Sequence, residues 1–478
     1  MEMRAPSHTR LRALRALAAP AFLALGVLWI ALGCNGSGPA SPDDDGIVPE
    51  GDLAIVWDGR TVDCGSGETL RAEIDGQPVD VEWRSLSDLY AAKPVVLGQG
   101  TDVTTAALRP GTTVVEARIL SGGTVTERAT VDVTVRYREA WNLDLLGMVP
   151  YGEETVGDVW VVDDKAVVAR RHGGGISIVD LTAMQEIGRF TVPGLFTQDV
   201  KAAGGVAYVS NESNSYPYAV TLVDMSDPTD LRVLGGIPSE AVGVAHNIWL
   251  DGPLLALASQ VTRAIHLYDV SDPTTPLPLS TLVANHGTAH DVHVQNGLLF
   301  GSYMGFELLI ASIADPAHPT VLARTAYPDA ASTHSSWLAA DGRTLYVADE
   351  EVNAPIRIFD VSDPAVPALL GTYQPRLGTI PHNFQVRDGR FAYLAHYKHG
   401  VEVLDVSDPV RPRLLGFYDT HPGMVDDGEP AAMGSLSPSH DKEGQRFEGA
   451  WGVHWTDDGR IVVSDMSRGL FVFRYTGN

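Results

Sequence analysis

A short turn copied five times limits what this chain can fold into more than any other feature. Met225-Ser226-Asp227-Pro228, Val270-Ser271-Asp272-Pro273, Ile313-Ala314-Asp315-Pro316, Val361-Ser362-Asp363-Pro364 and Val406-Ser407-Asp408-Pro409 set their Asp residues 45, 43, 48 and 45 positions apart. Proline fixes φ and the Ser and Asp side chains bond nearby backbone N–H groups, so each copy is a hinge between strands. Four short apolar runs accompany each hinge. In one unit they are residues 384–386, 391–394, 401–406 and 414–418, with Asp388-Gly389 as the turn between the first two. A four-stranded unit of this length cannot bury both faces alone, so copies must stack around an axis, as propeller blades do. First strands start near Asp158, Gln198, His246, His290, His334, His382 and Trp451, which predicts an all-β, seven-bladed β-propeller.

The last unit ends at 471–475 with no room for an outer strand, while residues 144–149, ahead of the first unit, have the Leu-Leu-Gly form of one. Pairing the two closes the ring and leaves no exposed seam. The pattern Val-x-Asp-Val-Ser-Asp-Pro-x-x-Pro-x-Leu-Leu-Gly, clearest at 358–371 and 403–416, resembles the LVIVD-repeat propellers of exported bacterial proteins. That resemblance implies a fold and says little about activity.

Upstream, Arg4, Arg10, Arg12 and Arg15 precede an apolar run that ends at Gly33-Cys34. This is an export signal. It resembles a bacterial lipoprotein signal, which implies lipidation of Cys34 and removal of what precedes it. The expected organisation is a signal over 1–34, a flexible acidic linker over 35–50, a β-sandwich over 51–137 and the propeller over 140–478. The sandwich rests on alternating runs such as 53–57, 79–83 and 129–135, separated by turns. Residues 108–115 resemble the penultimate hairpin of bacterial immunoglobulin-like modules, and Trp83 is the expected core aromatic. These readings place the protein outside the cytoplasm, anchored to the membrane by lipid at the cell surface or in the periplasm, as a monomer.

Composition removes several functions. The formal charge of -26 repels a phosphate backbone, so nucleic acid is not an expected partner. Cys34 and Cys64 are the only cysteines, too few for a disulfide framework or a four-cysteine metal cage. The chain has no Gly-x-Ser-x-Gly, no phosphate loop, no His-Glu-x-x-His and no Cys-x-x-Cys.

What remains is a column of histidines. His246, His290, His334 and His382 fall just ahead of the first strand of four consecutive units, where the others carry Asp158, Gln198 and Trp451 or Gly452. First strands line the axis, so these rings crowd one mouth of the channel. Neutral imidazoles there would suit a transition metal such as Fe, Cu or Zn, with Asn247, Asp291, Ser335 and Asn383 beside them. A purely structural role, each ring bonding the next blade, competes with this. The Gln198 unit keeps its Asp227 turn without a His, so the ring is not needed to build a blade. His293 and His454 lie within or beside inner strands and are candidates to share the mouth as accessory groups. His396 and His399, with Asp349, Glu350 and Asp465, are expected at the opposite rim. The long connection before Trp451 carries His421, Asp426, Asp427, Glu429 and His440 and would form a lid over the mouth. The leading expectation is an envelope-anchored binding protein presenting this mouth to a protein, glycan or small molecule. The alternative is a metal-dependent oxidoreductase or hydrolase built on the four histidines.

Overall fold

The computed structural model describes residues 52–477 apart from 64–65, 87–93, 106–107, 109–110, 137–138, 214, 284, 306, 326, 328–331, 377–378 and 423–447. Cys34, Cys64, Asp426, Asp427, Glu429 and His440 therefore lie outside the described residues.

Residues 53–136 form two β-sheets. Leu53–Val56, Gln77–Pro78 and Asp102–Thr104 all pair with Thr69–Ile74. The second sheet runs Val62–Asp63, Thr124–Arg136, Gly111–Ser121, Val81–Ser85, Val95–Gly100. Period-two alternation sends Leu70, Ala72, Trp83, Val115, Ala117 and Val133 fully inward. Trp83 spends its one donor on the Gly100 carbonyl at 3.1 Å, which allows the indole to be buried without an unsatisfied N–H.

Among the described residues, seven antiparallel sheets built on four strands follow in sequence. Their first strands are Val156–Val162, Val200–Ala203, Asn247–Asp251, Thr288–Gln295, Thr333–Leu338, Phe384–Arg387 and Ala450–Trp455. Each touches the first strands of the sheets on either side, and that of the seventh touches that of the first. The architecture is all-β and consistent with a propeller. Leu143–Val149 supplies the outer strand of the seventh sheet, pairing with Gly469–Tyr475 from Leu143↔Tyr475 to Val149↔Leu470. Just before it, Ala140–Trp141 pairs with Tyr418 and Phe417 of the sixth.

The repeated sequence pattern has a physical reading. In Asp405-Val406-Ser407-Asp408-Pro409 the first carboxylate accepts the Ser407 N–H at 3.0 Å and the second accepts the Val410 N–H at 3.1 Å, giving two successive Asx turns. The outer-strand glycine answers the same turn one sheet later. A Cβ on Gly188 would lie 2.1 Å from the Pro228 carbonyl oxygen, and one on Gly235 2.8 Å from that of Pro273. Only glycine lets the neighbouring turn pack this close.

Candidate metal centre

The mouth is built where each first strand begins. A β-bulge falls there in the first, fourth, fifth and seventh sheets, between Val156 and Val159, Ala289 and Asp291, Thr333 and Ser335, and Ala450 and Gly452. A bulge inserts a residue and re-aims its side chain. Consecutive residues such as His290 and Asp291 can therefore line one cavity, which strict alternation would forbid. The cavity is bordered by Gln198, His246, His290, His334, His382 and Trp451 at the rim and by Asp158, Asp199, Asn247, Asp291 and Asn383 below. It has room for one water-sized centre, about 10 Å³, which suits a single atom or ion.

The four imidazoles form an arc. Ring centroids are 4.0 Å apart for His246 and His290, 4.4 Å for His290 and His334, and 4.4 Å for His334 and His382. Their nitrogens have different fates. His246 Nδ1 is bonded to the Glu212 carboxylate. His382 Nδ1 donates to the Trp451 carbonyl at 2.6 Å, which fixes the tautomer and leaves Nε2 as a bare lone pair. That lone pair faces Glu350 Oε1 at 3.8 Å, and His334 Nε2 faces Glu350 Oε2 at 3.9 Å. Nδ1 of His290 and of His334 is buried with no hydrogen-bond partner among the described residues. Ligand atoms of His290, His334 and Glu350 lie within 4.8 Å of one another.

Electrostatics agree with a set of metal ligands. Burial, reinforced by neighbouring imidazoles, holds His290 and His334 far below the usual histidine range, and burial takes His382 down to about 3. All three are neutral at physiological pH, as a metal requires. Burial pushes Glu350 up to about 7 despite the hydrogen bond from Tyr397 Oη at 2.5 Å. The lone pair of the neutral His382 ring turned toward a carboxylate is favourable when a cation stands between them. Bonds of about 2.1 Å to a tetrahedral ion place ligand atoms roughly 3.4 Å apart, so the pairs His334–Glu350 and His382–Glu350 would contract by about half an ångström to hold one.

Below the rim, Asp158 and Asp199 share the Lys201 ammonium, which lies 3.0 Å from Asp158 Oδ2. Burial raises Asp199 well above the carboxylate range and Asp291 to about 8, while at Asp158 burial is outweighed by the Lys201 charge together with hydrogen bonds from Asp199, Lys201 and the Val159 backbone, which hold it below the usual range. Asn247 Nδ2 donates to Asp291 at 3.1 Å and Ser335 Oγ to the His382 carbonyl at 2.9 Å, so this layer braces neighbouring sheets. Lower still, Trp160, Trp249, His293, Trp337 and His454 pack ring to ring and fill the channel.

Three sequence expectations need correction. Glu350 belongs to the mouth, and so does Tyr397 beside His396: a second strand runs antiparallel to the first, so its end returns to the rim where the first began. Asp158 is not level with the histidines. A Cβ on Gly452 would strike its Oδ1 at 2.1 Å, which puts Asp158 in the layer below and Gly157 at the rim. His454 belongs to the aromatic plug. His421 is buried against Thr420 and Ser467 at 3.1 Å each. Glu212, Glu350, Tyr397 and Arg171 all sit just past second strands. Carrying the hairpin register forward would have pointed to them.

A second cluster, His396, His399 and Glu402, also brings ligand atoms within 4.8 Å. Its hydrogen bonds lead to another conclusion. Arg376 Nη1, always a donor, bonds His399 Nδ1 at 2.8 Å, so the neutral ring carries its proton on Nε2, 3.4 Å from Glu402. Glu402 also accepts from Tyr373 Oη at 2.9 Å. Glu402 is thus held by donors on one side, while His396 Nδ1, 3.7 Å from it, has no hydrogen-bond partner among the described residues.

The LVIVD repeat family matches residues 196–236, 334–374 and 387–420. This chain is a repeat protein of the β-propeller type. No curated protein matches it. The first matched segment has Gln198 where the second has His334, so the propeller repeat does not itself demand a histidine at the mouth.

Proposed function

We propose that the chain is an exported, lipid-anchored binding protein in which an immunoglobulin-like sandwich carries a seven-bladed propeller whose mouth holds a divalent transition metal. His290, His334 and Glu350 are the ligands, with His382 at the edge of the set. The observation that carries this reading is the approach of two imidazoles and one carboxylate to within 4.8 Å in a buried site. Two histidines and a carboxylate with open positions suit zinc or iron(II). Those open positions also favour the second reading, a metal-dependent oxidoreductase or hydrolase. The arginine-rich, apolar leader that ends at Cys34 supports export and anchoring.

Elemental analysis of the purified full chain tests the metal. One zinc or iron per chain, lost in His334→Ala and Glu350→Gln, is the expected result. A folded, metal-free wild type that takes up neither ion on addition refutes it. Incorporation of labelled palmitate, abolished by Cys34→Ser, tests the anchor.

A further inference from the structure

The histidine arc does not end at His382. Its ring lies 4.4 Å from that of Trp451, and the Arg171 guanidinium carbon lies 4.6 Å from the Trp451 ring centroid and 5.1 Å from that of Phe196. Space for Arg171 comes from the first sheet, where a Cβ on Gly157 would lie 3.3 Å from Arg171 Cγ. The rim position that carries no side chain is thus the one beside which an arginine lies.

Arg171 differs from the other inward arginines of the propeller. Arg170 pairs with Glu154 at 2.7 Å, Arg357 with Asp349 at 2.8 Å and Arg376 with Asp419 at 3.2 Å. Among the described residues no carboxylate comes within 4.0 Å of Arg171. Its Nη1 reaches the Met466 sulfur at 3.8 Å, and its Nε is buried without an acceptor. Burial works against its charge, and Glu212 and Glu350 are near enough to favour it without bonding it. A guanidinium is never neutral in a protein and presents five donors in a planar fork. Leaving those donors partly desolvated and unmatched is costly. Aromatic faces steady the cation and leave its donors open.

We propose that Arg171 is an anion-binding residue of the mouth, and that the site takes a small oxyanion, a carboxylate or a phosphate, rather than a neutral or cationic molecule. Only the idea that the same ligand also reaches the metal rests on the proposed function; the anion site itself does not.

The test is calorimetric titration of the full chain with sodium acetate, with inorganic phosphate and with neutral acetamide, metal-free and then, for acetate, zinc-loaded. Acetate or phosphate should bind and acetamide should not. Arg171→Gln should weaken anion binding at least tenfold with zinc stoichiometry unchanged. Arg171→Lys, which keeps the charge and loses the fork, should weaken it by a smaller factor and replaces the Gln variant should that fail to fold. Equal affinity in wild type and either variant overturns the proposal, as does zinc uptake with no anion binding. Anion binding that depends on Arg171 in a chain taking up no metal upholds it while refuting the metal reading.

Discussion

Two clusters in this propeller have the same composition, two buried histidines and a glutamate, and differ in what the far side of each ring touches. At His399 the outer nitrogen accepts from Arg376, so the inner one must carry a proton, which faces Glu402 at 3.4 Å. At the mouth, His382 gives its outer proton to a carbonyl, so the inner nitrogen meets Glu350 as a lone pair. Proximity of ligand types is therefore a weak criterion. The outer partner sets the tautomer, and with it which ring nitrogen could hold a cation.

Four measurements would break or sharpen this contrast. The largest effect is expected at the Glu402 cluster: Glu402→Ala removes the acceptor for Tyr373 and the carboxylate facing His399, and should cost about 3–5 kcal/mol in chemical denaturation. Glu350→Gln in metal-free protein, which keeps a side chain to accept from Tyr397, should cost far less; equal losses would mean that both clusters are structural. Next, zinc at a hundredfold excess over its dissociation constant should stabilise wild type by about 2.7 kcal/mol, and His399→Gln should preserve a zinc-induced rise in Tm that His334→Ala abolishes. A rise that follows His399 instead would reverse the assignment.

Acid should act on a third set of histidines. Burial lowers His293 to about 3 and His454 to about 4, so the unfolded chain binds protons that the folded chain refuses. Stability from each is complete above the unfolded pKa of about 6.5 and falls by about 1.4 kcal/mol per pH unit between there and the folded value. His293→Phe should flatten the slope of Tm against pH by about one proton; an unchanged slope would show that the aromatic plug is hydrated. The smallest effect is expected furthest from both clusters. Asp272→Ala removes the acceptor for the Thr274 N–H at 2.9 Å and should cost about 0.5–1 kcal/mol with metal content unaltered.

Much of the fold is written in local chemistry. Asx turns, paired Leu-Leu-Gly strands and the join between residues 144–149 and 471–475 follow from turn residues and strand period, which act over a few positions. The histidine arc was legible for the same reason, since equivalent positions in a repeat face the same axis. Glu350, Tyr397 and Arg171 were not, because finding them requires following each chain reversal and asking which rim it returns to. Gly157 was missed for a different reason: its bulged neighbourhood has an extra residue, so counting alone put Asp158 in its place.

The seam between Leu143–Val149 and Gly469–Tyr475 also sets a timetable. A ribosome must make more than three hundred residues between these partners, so a nascent chain carries an unsealed wedge beside its first sheet until synthesis is nearly over. Such distant pairing is slow and exposes sticky edges meanwhile. Trp451, which meets Arg171 across that wedge, can take its place only when the wedge shuts. The anion site would then be among the last parts of the molecule to mature, and its appearance would report that the circle is complete.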